Sequence, residues 1–509
     1  MSQKPGPETL DHRTPDHKPD DDLRFISLKS LTEAEIAEAR LQDDDLPPLN
    51  TPEDIEDFAL QDDYALNPQY IALVIDSADR GDGMRLRELL DALHPADIAD
   101  LMGFLSADYR EQVIPWIPAD LLAEVLPELD DGIREEVVEN LRPDDLAEVL
   151  QELDSDDAAA VFEDMEADQQ KAVLAAMTEA DREAMVTSLS FEEETAGRLM
   201  QREVVAAPDF WDVGQAIDHM RAHAADLPEL FFDVYVIDPG HRPIGALPVS
   251  LLMRTARDTP LSAVMEPVTE IQVDVDQEEV AYIFGKYHLI SAPIVDAGGR
   301  LVGQITVDDI VNIIQEESRE DILALGGVSE SEGRDADLWE MVRARLPWLS
   351  LNLLTAFFAS WLISLFEAEI TKLVALAVLM PIVASIGGNS GTQALTVSVR
   401  ALSSRELTTA NAIRTVWREV RVALVNGVAI ALLLGLVAGL WFHSLLLGLV
   451  IGLAVVITLT AAALAGTLVP LTLSRLGRDP AVASPIFVSA VTDCMGFFSF
   501  LALAAIILL

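Results

Sequence analysis

Asp493 lies in SPIFVSAVTDCMGFFSFLALAAIILL, an apolar run long enough to cross a bilayer, with no basic residue beside it. An ionisable group within a span ordinarily faces a protein interior or an aqueous path. Ser489, Thr492, Gly496 and Ser499 share its helix face. A second apolar run, PIVASIGGNSGTQALTVSV, carries Ser385, Asn389, Thr392 and Thr396 at helical spacing, interrupted by Gly387, Gly388 and Gly391. Carboxylate, hydroxyl, amide and carbonyl groups form an all-oxygen donor set, which suits hard cations such as Mg2+ and Ca2+. Mg2+ keeps several waters, so one aspartate suffices in a pore, particularly if two-fold symmetry sets a second copy opposite. Small and hydroxyl residues at this spacing equally suit close helix packing. Asp493 is therefore the candidate pore ligand, and Ser385, Gly388, Asn389, Thr392, Ser489 and Thr492 are candidate pore-lining residues.

These residues need membrane helices to hold them. Five segments meet the length criterion for spanning, at Pro347–Phe366, Leu373–Val399, Val422–Trp441, Leu445–Leu473 and Pro485–Leu509. Arg343 and Arg345 precede the first; Arg400, Arg405, Arg414, Arg418 and Arg421 lie between the second and third; Arg475 and Arg478 lie between the fourth and fifth. The alternate loops hold only Lys372. The positive-inside rule then places the large N-terminal part in the cytoplasm and the C-terminus outside, in an inner or plasma membrane.

Charge is segregated in the same way. The chain has 509 residues and a net charge of −51, yet half of it is hydrophobic. From Leu346 onward there are 8 basic and 6 acidic residues, which leaves 26 basic against 79 acidic in the part before it. Such a surface repels nucleic acid and attracts cations. The single cysteine, Cys494, excludes an internal disulfide and thiolate metal clusters, and the polar N-terminus lacks the apolar core of a signal peptide. His443 is the only histidine after His288, so a histidine-based transition-metal path is poorly supplied. No catalytic triad, phosphate-cradling loop or HExxH pattern occurs, and enzyme activity is not expected.

Residues 1–65 read as acidic and mostly disordered, with one short helix near Leu31–Leu41. HPADIADLM, SADYREQVI, IPADLLAEVL, DDGIREEVV, RPDDLAEVL, DSDDAAAVF, EADQQKAVL and EADREAMV then follow one another every 11 to 14 residues. Short helices in such tandem stack into an α-solenoid. A second duplication aligns YVIDPGHRPIGALPVSLL at 235–252 with PIVDAGGRLVGQITVDDI at 293–310. Each copy reads as strand, glycine turn, strand, helix, and the pair resembles tandem CBS modules. Gly303, Thr306 and Asp309 have the spacing used by nucleotide-binding modules of that type, so ATP is a candidate ligand of one cleft.

The whole order resembles the MgtE magnesium channel/transporter family. PIVASIGGNSGTQALTV carries its Pro-x5-GGN-x-G-x-Q pattern, and LGRDPAVAS followed by VTDCMGFF matches its fifth-span region; ETAGRLM, DQEEVA and EDILALGG match its soluble parts. The resemblance implies a multidomain membrane protein made of an α-helical solenoid N-domain, a tandem CBS (α+β) domain, a linking helix and a five-helix transmembrane domain. The corresponding boundaries are 66–190 for the helical domain, 191–257 and 258–315 for the CBS modules, 316–345 for the linking helix and 346–509 for the pore. It further implies a lipid-embedded homodimer that conducts Mg2+ along its two-fold axis, with Asp493 as pore ligand, and closes when cytoplasmic Mg2+ binds acidic surfaces. The regulatory carboxylates carry over to Glu124, Asp156, Asp276, Glu278, Asp309, Glu317, Glu320 and Asp321. His288 and Asn312 stand where related sequences often have acids, and Pro485 sits one residue further from Asp493 than is usual. Two other readings remain open: a CBS-based adenine-nucleotide sensor with a membrane anchor, and a helical-repeat interaction scaffold.

Overall fold

The computed structural model describes residue 49 and residues 51–61, 64–224, 227, 228, 230–328, 338–407 and 411–508. The helix expected near Leu31–Leu41 lies outside them. The chain divides into two compact units, 1–140 and 141–509.

The first unit is helical: α1 (Pro52–Ala59), α2 (Pro68–Asp79), α3 (Gly83–Leu90), α4 (Pro95–Phe104), α5 (Ala107–Val113), α6 (Ala119–Val125) and α7 (Asp131–Asn140). Helix α1 lies within the stretch read as acidic and mostly disordered. Thr51 and Asp54 cap it reciprocally, and Ile55 and Ala59 are buried. Composition missed it because one capping box and two buried residues hardly alter an acidic average. Helix α4 packs on α6 and α5 on α7. Arg110 bridges these layers, pairing with Glu136 and donating to the carbonyls of Met102 (3.1 Å) and Leu105 (2.7 Å).

The second unit continues the same alternation. Helices α8 (Pro143–Glu152), α9 (Ser155–Glu163), α10 (Ala167–Ala176) and α11 (Glu179–Ser188) pack α8 on α10 and α9 on α11. Each of the eight repeat motifs thus forms one short helix with a buried apolar face; side-chain caps are made by His94 on α4 and Thr178 on α11, whereas among the described residues Ser106 and Glu166 make no cap bond.

Two three-stranded sheets follow, ordered β1 (Ala206–Pro208), β2 (Asp233–Ile237), β3 (Pro243–Pro248) and β4 (Ile271–Gln272), β5 (Ser291–Val295), β6 (Leu301–Thr306). In both, the first pair is parallel and the second antiparallel, with a register shift near the end of the middle strand. The turns are duplicates too: Asp238 Oδ1 accepts from Gly240 and Arg242 amides, and Asp296 Oδ1 from Gly298 and Arg300. The modules are also crossed. Gln201, ahead of the first sheet, bridges to Gln304 of the second, whereas Glu266, ahead of the second, bridges to Ala246 of the first. Helices α12 (Val213–Ala222), α13 (Val249–Leu252), α14 (Leu261–Val264) and α15 (Gln277–Tyr287) complete the modules.

Helix α16 (Val307–Leu325) runs unbroken through the boundary expected at 315/316. The last helix of the second module and the start of the linking segment are therefore one rod; residues 329–337 lie outside the described chain. Beyond come α17 (Leu338–Ser364), α18 (Glu367–Lys372), α19 (Ala375–Ser403), α20 (Ala412–Trp441), α21 (Leu445–Arg475) and α22 (Pro480–Ile507). Among the described residues five helices are long and apolar enough to cross a membrane: α17 (from Met341), α19, α20, α21 and α22. Helix α21 forms the centre of the bundle, with Val450, Ile451 and Ala454 fully buried, and it packs on α19, α20 and α22.

Candidate functional site

Small residues set the geometry of α19, α21 and α22. A Cβ on Gly391 would lie 2.9 Å from Val488 Cγ1 and 3.0 Å from Thr492 Cγ2; one on Gly466 would lie 2.8 Å from the Gly391 carbonyl oxygen. Close approach along this seam turns the other side of α19 outward. Ser385, Asn389, Thr392 and Thr396 are all exposed on it, as is Ser489 on α22. Thr392 and Thr396 hydroxyls donate to the carbonyls one turn back, at 3.1 and 3.0 Å, which leaves oxygen lone pairs pointing outward as acceptors. Nothing lies within 4 Å of a Cβ placed on Gly388, so the helix surface there is open.

Asp493 is half-buried in the same region, and no hydrogen bond or ion pair engages its carboxylate among the described residues. Thr492 departs from the pore-lining expectation. It is fully buried, its hydroxyl donates to the Ser489 carbonyl at 2.9 Å, and its methyl packs against Gly391. It belongs to the helix seam.

Asp156 and Asp309, far apart in sequence, come together where α9 meets the start of α16. Asp156 Oδ1 is out of solvent and has no hydrogen-bond partner among the described residues. Burial, then the charges of Asp309, Asp157 and Asp154, raise the Asp156 carboxyl well above its ordinary range. Asp309 is pushed up to about 7, chiefly by burial and then by Asp308, although the Thr306 hydroxyl donates to its Oδ2 at 3.0 Å and opposes the shift. A polar seam ties the same elements. Ser155 Oγ donates to Glu203 at 2.9 Å and accepts from the Arg202 amide at 2.8 Å, while Gln304 donates to the Glu203 carbonyl.

A second acidic group joins α15, α16 and the membrane helices. Asp276 caps α15. Glu278 is raised by burial and then by Glu317, Asp276 and Asp321. Glu317 is raised by burial although it accepts from Gln277 at 2.8 Å, and Asp321 by burial although it accepts from Ser403 at 2.8 Å. Arg405, in the loop after α19, pairs with Glu279 at 3.2 Å and lies 4.7 Å over the Tyr282 ring. At the end of α16, Ala324 and Leu325 pack with Leu395, Val399, Ala481 and Val488 of the bundle.

The remaining expected residues are more scattered. Glu320 is exposed on α16, and Glu124 is exposed on α6 of the first unit. Among the described residues no three His, Cys, Asp or Glu side chains stand close enough to hold an ion together. Among the described residues the carboxylates form opposed groups without a closed cage. Sequence reading missed Asp479, whose charge raises Asp321, and Glu194, whose charge raises Glu317. Only the fold brings either one close. Of the nucleotide candidates, Gly303 is covered, since a Cβ there would lie 2.6 Å from the Gln201 carbonyl oxygen and 2.7 Å from Met200 Sδ. Thr306 is buried and engaged with Asp309.

Five apolar helices with an outward oxygen-bearing face, a duplicated α+β domain whose last helix packs against them, and a run of helical repeats define a multidomain membrane protein of the transporter class. The chain belongs to the MgtE family. The family's divalent cation transporter profile matches residues 380–503, its intracellular N domain matches 93–194, and a CBS domain matches 261–316. The magnesium transporter MgtE of Enterococcus faecalis is 35% identical over 306 residues, covering 60% of this chain and 67% of that protein. That of Thermus thermophilus is 34% identical over 326 residues, covering 62% and 71%. A crystal structure of the cytosolic domain of the Mg2+ channel MgtE in complex with ATP aligns at 31% identity over 48% of this chain and 99% of that one, with a TM-score of 0.45.

Proposed function

We propose that this protein carries Mg2+ across a membrane and that its flux is regulated by Mg2+ on the side of the acidic domains. The observation that carries the reading is the outward face of α19 and α22. A carboxylate with no partner among the described residues and a row of hydroxyl and amide oxygens stand on a surface otherwise bound for lipid. Exposing such groups to hydrocarbon is costly. A second copy related by a two-fold axis turns the same face into an aqueous path lined twice by Asp493, Ser385, Asn389, Thr392 and Ser489. The arginines at one end of every span support an orientation with the acidic domains in the cytoplasm and the C-terminus outside.

The regulatory reading follows from electrostatics. Asp156 and Asp309 oppose each other across one seam, and Asp276, Glu278, Glu317 and Asp321 across another. Unneutralised, each set resists compaction; the orphaned Oδ1 of Asp156 and the all-oxygen donors suit a hydrated hard cation. A bound Mg2+ supplies the positive charge that these carboxylates lack. The protein's own part is mechanical. Helix α16 carries Asp309 at one end and packs Ala324 and Leu325 against the pore helices at the other. Ser403 and Arg405 hold the end of α19 to the same rod and to α15.

Mg2+ flux into proteoliposomes tests both halves. Asp493→Ala should reduce flux to the background of protein-free vesicles, and undiminished flux would sink the pore assignment. Graded Mg2+ on the acidic-domain side should suppress wild-type flux. A flat response would refute regulation and leave conduction standing.

A further inference from the structure

We infer that the arginine-bearing ends of α20 and α21 form a binding site for the phosphate–glycerol region of an anionic phospholipid. A cavity of about 210 Å3 opens between these helices, lined by Ile413, Val416, Trp417, Leu468, Thr472 and Arg475 among others. It faces away from the bundle: Ile413 is 76% exposed, Trp417 60% and Leu468 46%. Its inner side is closed, because Leu407, Ala412 and Leu471 pack together with Val416 behind it. The cavity is therefore a pit on the lipid-facing surface and gives no passage to the ion path.

Position, charge and shape favour one class of occupant. The pit spans the first turns of α20 and the last turns of α21, the level at which a span meets the headgroup layer and at which Trp and Arg anchor. Arg475 is exposed and has no partner among the described residues. Arg418, by contrast, is engaged with Glu419 at 3.3 Å. Two features of the helix ends add to the attraction. Among the described residues no side chain caps the first turn of α20, and the positive end of its dipole faces this level. The carbonyls that end α21 are tied down by the amides of Leu476, Gly477 and Arg478, which removes bare negative groups near the pit. The apolar lining would gain nothing from a free phosphate ion; it fits the first carbons of an acyl chain below a charged headgroup.

The full-length protein, delipidated in detergent, is titrated with phosphatidylglycerol and with phosphatidylcholine of identical chains, and bound lipid is counted by native mass spectrometry. Phosphatidylglycerol should bind preferentially. Arg475→Gln should weaken it about fivefold, as expected for one basic residue at an anionic headgroup, and Arg475→Lys should restore most of the loss. Arg414→Gln, which alters a residue outside the pit, should have no effect. Brominated phosphatidylglycerol should quench a component of tryptophan emission that is missing in Trp417→Phe; this arm reads the site even if an Arg475 variant fails to fold. Equal affinity for the two lipids, unchanged affinity in Arg475→Gln, or no loss of quenching in Trp417→Phe would overturn the site. Displacement of the lipid by millimolar inorganic phosphate would also overturn it, by showing a site for a free anion.

Discussion

Asp309→Asn offers the sharpest test of the acidic seam. In the folded chain the Asp309 carboxyl is raised from an ordinary 3.8 to about 7, by burial first and by Asp308 second. Because the folded value exceeds the unfolded one, its contribution to stability is fully present below about pH 4 and is lost as pH rises through about 7. That interval corresponds to on the order of 4 kcal/mol, an upper figure because the seam can relax. The asparagine keeps an oxygen for the Thr306 hydroxyl and removes the charge. In EDTA at pH 8 the variant should therefore unfold a few degrees above wild type, at roughly 1–2 °C per kcal/mol for a unit as long as 141–509. Its midpoint should fall less between pH 5 and 8 than the wild-type midpoint does, because Asp156 and the other raised carboxyls still titrate while Asp309 no longer contributes. Added Mg2+ should raise the wild-type midpoint more than that of the variant, since less repulsion remains to be relieved. The measurement is thermal unfolding of the full chain in detergent, with and without Mg2+. An unchanged or lower midpoint in the variant at pH 8, with the pH dependence of wild type, would refute the claim that an ionised Asp309 opposes the compact arrangement.

Arg405→Ala removes both the ion pair with Glu279 and the contact over Tyr282. Flux should persist but require several-fold more internal Mg2+ for suppression; an unaltered dose response would exclude this loop from coupling. Gly466→Val places a side chain against the backbone of Gly391 and Leu395, atoms that cannot swing aside, so the folded chain should lose about 1–3 kcal/mol or more, read as a lower unfolding midpoint. Thr492→Val is nearly isosteric and costs one hydroxyl already bonded within its own helix. Flux should stay within about twofold of wild type, because that hydroxyl lies in the seam; a loss comparable to that of Asp493→Ala would show that it contacts the ion.

Thr492 also shows where sequence reading stops. At about 100° per residue, Thr492, Gly496, Ser489 and Asp493 span an arc of roughly 100° on one helix. Spacing alone makes that arc a single polar face. The structure cuts it in two, with Thr492 and Gly496 buried against α19 and α21, and Ser489 and Asp493 on the open side. No periodicity contains the line between them, because it depends on where a neighbouring helix crosses. The same limit explains the acidic groups. The spans, the eight repeats and the duplicated sheets were legible because each is a local pattern of period or copy. The continuity of α16 through 315/316 was not, since the end of a module and the start of a linker differ in role and not in helical pattern. Asp479 caps α22 through the Ala481 amide, and only the fold sets its charge beside Asp321. Asp493 lies between the two cases. Its chemistry was visible as an acid without a basic neighbour, whereas its availability depends on Gly391 and Gly466 drawing the other helices to the far side and leaving the carboxylate without a partner among the described residues.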